Sequence, residues 1–86
     1  MTSSILCLAV VSDLVCSGSA DRSVRIWRGV DRNYGCVAVL EGHTGPVKCL
    51  TAAIDNCNTS DTAAYLVYSG GLDCDIKVWQ VLVPVL

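Results

Sequence analysis

A chain of 86 residues with 52% apolar and 16% charged residues has the composition of a packed body, and its formal net charge of −2 argues against a general binder of polyanions. No apolar run approaches the length that spans a bilayer as a helix. Six cysteines raise a disulfide or zinc reading, yet Cys7, Cys16, Cys36, Cys49, Cys57 and Cys74 include no C-x-x-C pair, and His43 is far in sequence from any paired thiols.

Short apolar runs occupy residues 5–11, 14–16, 24–27 and 36–40, and then 47–54, 65–68 and 76–79. They are rich in Val and Ile and separated by Gly, Asp, Asn and Ser, which predicts strands joined by tight turns. The runs at 5–11 and 14–16 scarcely alternate with polar residues, so both faces of those strands are expected to be covered. Cys7, Cys16, Cys36 and Cys49 fall inside the runs and are expected as small buried hydrophobes, whereas Cys57 and Cys74 fall in loops as accessible thiols. The first twenty residues imitate a secretory signal, with an apolar centre and the small residues Ser17-Gly18-Ser19-Ala20. They lack a basic start, Asp13 interrupts the pattern, and the strand reading explains them better.

The later runs repeat the earlier ones. Ser17, Gly18, Asp21, Ile26 and Trp27 recur as Ser69, Gly70, Asp73, Val78 and Trp79 at a constant offset of 52 positions. Ile5-Leu6-Cys7-Leu8-Ala9 matches Val47-Lys48-Cys49-Leu50-Thr51 at an offset of 42, which leaves ten additional residues in the second copy. Those residues are expected within the polar stretch 55–62, a loop by composition. Two copies of one supersecondary unit, each burying its apolar face by stacking on a neighbour, are the consequence.

Gly42-His43, an apolar strand, a Ser-Gly strand end, a turn Asp and a strand closing on Trp79 together resemble the WD40 repeat of β-propellers. The resemblance runs from Ile5 to Trp79 and implies an all-β fold of antiparallel four-stranded blades in an incomplete propeller. It implies a first blade over 1–40, a second over 41–80 carrying strands a to c and the inserted loop 55–62, and a divergent tail over 81–86. His43, Ser69, Asp73 and Trp79 match the family's buried hydrogen-bond tetrad, and Ser17, Asp21 and Trp27 match part of it in the first blade. Arg28 and Gln80 stand where the family has an Asp after the Trp. No turn residues separate Trp79 from the tail, and Pro84 disfavours internal pairing there. The junction Leu40-Glu41-Gly42-His43-Thr44-Gly45-Pro46-Val47, with the turn Ser17-Gly18-Ser19-Ala20-Asp21 and the enlarged loop, is similar to plant WD-repeat proteins related to the pollen-dormancy regulator Jingubang.

His43, Ser69 and Asp73 are also the residue types of a hydrolytic triad. Ser69 lies in Tyr68-Ser69-Gly70-Gly71, which is not G-x-S-x-G, and a catalytic set has no reason to recur in the first copy at Ser17 and Asp21. Arg22, Arg25, Arg28 and Arg32 cluster beside Trp27, but Asp21 and Asp31 interleave, so solvated strand edges are expected and not a phosphate-binding patch.

The resemblance implies a non-enzymatic scaffold segment that mediates protein–protein interaction within a larger propeller, in the cytoplasm or nucleus. No catalytic, cofactor or metal site is expected, nor a nucleic-acid or membrane partner. Two strand sets cannot close a ring, so the remaining blades or self-association should complete it. Carried over by position, partner contacts fall on Pro46, Lys48 and Leu72, with Ser4, Leu6 and Ala20 as their first-blade counterparts. The competing readings are a small secreted disulfide-stabilised protein and a truncated non-functional gene product.

Overall fold

Turn chemistry decides where the strands of this chain reverse. The computed structural model describes residues 4–30, 33–55 and 59–85. Strands β1 (Ile5–Val11) and β2 (Leu14–Ser19) are joined by Ser12 and Asp13, with Ser12 in the left-handed region at φ 53°. The turn into β3 (Ser23–Val30) is held by Asp21, whose Oδ1 accepts from the Ser23 amide at 3.0 Å and the Ser23 hydroxyl at 2.6 Å. Arg22 takes φ 76° there. The same turn is built again between β6 (Thr62–Gly71) and β7 (Ile76–Pro84), where Asp73 Oδ1 accepts from the Asp75 amide at 3.1 Å and Cys74 takes φ 67°. An Asp side chain that bonds the amide two residues on fixes a tight turn without glycine.

Two antiparallel sheets result, in the strand orders β1-β2-β3-β4 and β5-β6-β7, where β4 is Asn33–Glu41 and β5 is Val47–Ile54. This all-β arrangement matches incomplete WD40 blades, and two sheets are fewer than the four or more a propeller needs. Among the described residues no helix is long and apolar enough to cross a membrane. The internal repeat is a repeat of pairing. Cys7↔Gly18, Leu8↔Ser17 and Val11↔Leu14 recur as Cys49↔Gly70, Leu50↔Ser69 and Ala53↔Leu66, each set with a bulge at its start.

That equivalence relocates the ten additional residues. They are not confined to 55–62: everything between Ala53 and Leu66 stands where the first sheet has only Ser12 and Asp13. Part of 55–62, residues 56–58 with Cys57, lies outside the described residues. The returning arm of the insertion, Thr62 to Tyr65, is strand, and it pairs with Val81 to Pro84. The tail thus continues β7 and does not diverge from the sheet. Pro84 is tolerated because it ends the strand, paired with Thr62 at the last register position. Three further bonds tie the arms together: Asp55 N–H to the Ala64 carbonyl at 2.9 Å, Val85 N–H to the Asp61 carbonyl at 3.0 Å, and Gln80 Nε2 to Asp55 Oδ2 at 2.9 Å.

The core lies between the sheets. Leu14, Cys16, Val24 and Ile26 of the first meet Tyr65, Val67, Val81 and Val83 of the second, and β5 packs on β1 and β2. Arg28 straddles the seam, donating from Nε to Asp13 Oδ2 at 2.9 Å and from Nη1 to the Pro84 carbonyl at 2.6 Å. Two expectations need correction. β2 is covered on both faces, but β1 is covered on one only, because a single sheet packs against it; Leu8 and Val10 face outward. Cys16 is buried and Cys7 half-buried, whereas Cys36 and Cys49 are exposed, since they point away from the shared core on strands with one uncovered face. Cys74 is an exposed loop thiol as expected, and the five described cysteines are all free. Burial pushes the Cys16 and Cys7 thiols up from their ordinary value.

Candidate functional site

The second sheet gathers four side chains that lie far apart in sequence. Ser69 is carried by β6, Trp79 by the neighbouring β7, Asp73 by the turn between them, and His43 by the segment that links β4 to β5. Strand pairing accounts for the first contact, because Val67↔Trp79 and Ser69↔Lys77 put the indole diagonally across from the serine. Trp79 Nε1–H donates to Ser69 Oγ at 2.8 Å. Ser69 Oγ lies 2.7 Å from His43 Nε2, and His43 Nδ1 lies 2.9 Å from Asp73 Oδ2.

Donors and acceptors then assign themselves. The Asp73 carboxylate only accepts, so His43 Nδ1 carries the hydrogen; Nε2 accepts from the Ser69 hydroxyl, whose oxygen accepts from the indole. Every member is satisfied, and His43 and Ser69 are both buried. Asp73 Oδ2 also accepts from the Thr44 amide at 2.9 Å. The Thr44 amide first, with the His43 and Asp75 hydrogen bonds beside it, holds the Asp73 carboxyl down to about 2.

The first sheet contains the partial version. Trp27 Nε1–H donates to Ser17 Oγ at 2.9 Å, repeating the Trp79–Ser69 bond. Asp21 is turned to its own loop, its carboxyl held below the usual range by the Ser23 hydroxyl and amide, with Arg25 Nη2 at 3.6 Å. The residue before the turn differs for a visible reason. Ser19 donates room and an acceptor to the Asp21 amide at 3.2 Å, whereas its counterpart Gly71 has no space for a side chain. A Cβ on Gly71 would stand 2.9 Å from Asp73 Oδ1 and 3.0 Å from His43 Nδ1. Sequence reasoning missed Gly71 and Thr44. The single available signal was the Ser-to-Gly exchange between the two copies, which coincides with the presence of His43 in the second.

The arrangement of Asp73, His43 and Ser69 has the connectivity of a hydrolytic triad but not its accessibility. Ser69 Oγ is buried beneath the imidazole and accepts the indole hydrogen, so no reacting carbonyl can approach it. Among the described residues no group of three or more His, Cys, Asp or Glu side chains is gathered in a metal-binding arrangement.

The positions carried over for partner contact fall at one end of the two sheets. Leu72 N–H donates to the Pro46 carbonyl at 2.9 Å, and Ala20 N–H donates to the Ser4 carbonyl at 2.9 Å, so the same pair closes both sheets. Leu6 and Lys48 are the unpaired residues of the two bulges, between Ile5/Cys7 and Val47/Cys49. A bulge re-aims its side chain out of the regular alternation, and no local residue pattern marks either one. Leu72, Lys48, Leu6, Ser4 and Ala20 are exposed and Pro46 is half-buried.

The arginines do not form one surface. Arg25 pairs with Ser17 and Arg28 with Leu14 along β3, three positions apart, so they occupy opposite faces. Arg28 is mostly buried in its Asp13 and Pro84 bonds, contrary to the expected solvated edge, because the lengthened second sheet reaches under it. Arg22 is exposed, and Arg32 lies outside the described residues.

Comparison with known proteins places this geometry. The family model described as "WD domain, G-beta repeat" matches residues 2–28 and 34–80. WD repeat-containing protein pop1 of Schizosaccharomyces pombe is 31% identical over 81% of this chain and 11% of its own length. The probable cytosolic iron-sulfur protein assembly protein 1 of Neurospora crassa is 37% identical over 84% of this chain and 15% of its own. Among solved structures, the computationally designed Ika4 protein superposes with a TM-score of 0.66 at 26% identity, covering 92% of this chain and 42% of that one. The chain therefore spans only a small part of the curated relatives it matches. With both of its sheets matched by the family model, the chain belongs to the WD40 family of WD-domain, G-beta repeats.

Proposed function

We propose that the chain is a non-enzymatic scaffold segment of a β-propeller, with blades over 1–40 and 41–80, that binds protein partners through the end of the sheets bearing Pro46, Lys48 and Leu72. The observation that carries this reading is the doubling of one edge: two bulges and two identical backbone closures present an apolar or basic side chain beside the turn Asp in each sheet. Beneath that edge His43, Ser69, Asp73 and Trp79 serve as a structural tetrad that fixes the strands. A fully satisfied buried network rigidifies what it spans, which suits a surface that must be preorganised for a partner. The matched relatives carry names as different as pop1, Elongator complex protein 2 and Mitochondrial division protein 1, which fits a reused interaction module better than one conserved reaction. Residence in the cytoplasm or nucleus, and affiliation with the Jingubang-like plant proteins on the strength of the 40–47 junction, belong to the same proposal.

The test replaces surface side chains only. Wild-type chain and the Lys48→Glu, Leu72→Asp double variant, each carrying a photo-crosslinker at Thr44, are exposed to extract of the source cells. Adducts formed by the wild type and lost from the folded double variant are expected. Identical adducts from both would overturn the reading. A fluorophosphonate probe should leave Ser69 unlabelled, and stoichiometric labelling would restore the hydrolase.

A further inference from the structure

A polar cavity of about 290 Å³ opens between the Asp21 turn and the link from β4 to β5, at the same end of the sheets as the Ser4–Ala20 and Pro46–Leu72 closures. Most of the polar groups that line it are already spent. Asp21 Oδ1 is taken up by the Ser23 amide and hydroxyl, and both ring nitrogens of His43 are taken up by Asp73 and Ser69. Arg25 is the exception. Its Nε is buried and meets no acceptor among the described residues, and its Nη2 stands 3.6 Å from Asp21 Oδ2, an ion pair too long for a good hydrogen bond. Arg22, exposed on the turn, lines the same cavity. Glu41 does too. It lies diagonally across from Arg25, since Ser23 pairs with Glu41 and Arg25 with Val39, yet among the described residues no ion pair joins the two. A buried polar group without a partner asks for an explanation, and a missing acceptor is the one that the cavity offers.

We infer that this cavity receives a carboxylate of a protein partner, an Asp or Glu side chain, gripped by Arg25 with Arg22 as the second cation. This rests on the reading that this end of the sheets meets proteins, and it adds the chemistry that is met. Rotation of the Arg25 guanidinium toward the cavity trades the long Asp21 contact for two parallel N–H···O bonds, from Nε and Nη2 to the two oxygens of the incoming group. That fork matches a planar carboxylate, and a lysine ammonium could not reproduce it. Asp21 gives up little, because the Ser23 amide and hydroxyl still hold it. The charges already present choose between anions. Two carboxylates, Asp21 and Glu41, line the cavity with the two guanidinium groups, so a phosphate dianion meets twice the repulsion that a singly charged carboxylate meets at the same place. His43 does not compete for the ligand, since its donor is committed to Asp73.

The orphaned donor can be read directly. The full chain, with its arginines isotopically labelled at nitrogen, is titrated with the blocked peptide acetyl-Gly-Glu-Gly-amide, with its Gln counterpart and with its phosphoserine counterpart, and the Nε–H resonance of each arginine is followed by NMR. The Arg25 resonance is expected to move saturably with the Glu peptide, to stay in place with the Gln peptide, and to need a higher concentration of the phosphoserine peptide. Arg25→Lys, which keeps the charge and loses the fork, should raise the Kd of the Glu peptide about tenfold, read on the Arg22 resonance. An Arg25 resonance unmoved by the Glu peptide, an equal shift with Gln, tighter binding of phosphoserine, or an unchanged Kd in Arg25→Lys would each overturn the inference. If Arg25→Lys unfolds by circular dichroism, Arg22→Gln, read on the Arg25 resonance, takes its place with the same outcomes. Neither arginine is altered in the Lys48→Glu, Leu72→Asp double variant. Crosslinks lost there without peptide binding here would therefore defeat this inference alone, and peptide binding here with crosslinks unchanged there would defeat only the Lys48 and Leu72 surface.

Discussion

Ser69 Oγ takes one hydrogen from an indole and gives one to an imidazole, so its removal leaves two buried partners unsatisfied at once. Ser69→Ala should destabilise the chain by about 1 to 3 kcal/mol. His43→Ala strips the same network from the other side, so the double variant should lose clearly less than the sum of the two single losses. Urea titrations at one fixed protein concentration measure both, and strict additivity would show that the four side chains do not act together. Gly71 answers to the same network through space. Gly71→Ala drives a methyl against Asp73 Oδ1 and His43 Nδ1 and should lower the unfolding midpoint, while Ser19→Ala at the matching position loses only its bond to the Asp21 amide and should cost less. The pH dependence follows from Asp73. Its folded pKa of about 2 lies below the ordinary carboxyl value, so the folded state binds the proton less readily than the unfolded one. The stabilisation is therefore complete above about pH 5 and is lost as pH falls from about 4 toward 2. Thermal melts across that window should show the loss in the wild type and a flatter profile in Asp73→Asn.

At the scale of elements, the insertion and the tail explain each other. Each is anomalous alone: an insertion in a short hairpin, and an apolar end with no turn before it. Paired, they lengthen β6 and β7 and place Tyr65, Val81 and Val83 under Leu14 and Arg28. Removing two methyl groups from a buried valine forfeits roughly 1.5 kcal/mol of transfer free energy. Val81→Ala and Val83→Ala should each cost about that much in urea, whereas Leu82→Ala, on the bare face, should cost little. Equal losses at all three would mean that the tail is not a strand with one buried face. Sequence reading found the existence and order of all seven strands because Val and Ile runs broken by Asp, Gly and Ser leave few alternatives. It placed β1 and β5 to the residue, and it stopped β7 at Trp79 because the resemblance closes the strand there, no turn residues separate Trp79 from the tail, and Pro84 disfavours internal pairing. Only the partner strand shows which of the tail's side chains is buried.

For the molecule as a whole, the balance of covered and bare surface governs behaviour. Each sheet has one face in the shared core and large apolar side chains exposed on the other, and among the described residues no strand pairs with the outer edge of β7 where the first sheet has β4. Ordering a residue costs roughly 1 to 2 kcal/mol of conformational entropy, which burial on a single face offsets poorly in so small a body. The chain expressed alone should therefore show strand-type circular dichroism with a melting temperature that rises with protein concentration. A sharp transition independent of concentration would mean that the internal seam suffices. If that transition collapsed on reduction, the disulfide-stabilised reading would return.

The sequence by itself determined the repeat, the strand order and the Asp turns, because each rests on local residue type at a fixed spacing, and its resemblance to the WD40 repeat put His43, Ser69, Asp73 and Trp79 in one set. Tertiary structure alone decided the rest. It set which cysteines are covered, where the ten additional residues go, why Gly71 is glycine, how two bulges turn Leu6 and Lys48 outward, and what Arg28 holds. Those outcomes depend on which strand lies beside or beneath a residue, and burial across a sheet interface is set by partners distant in sequence that no local pattern specifies.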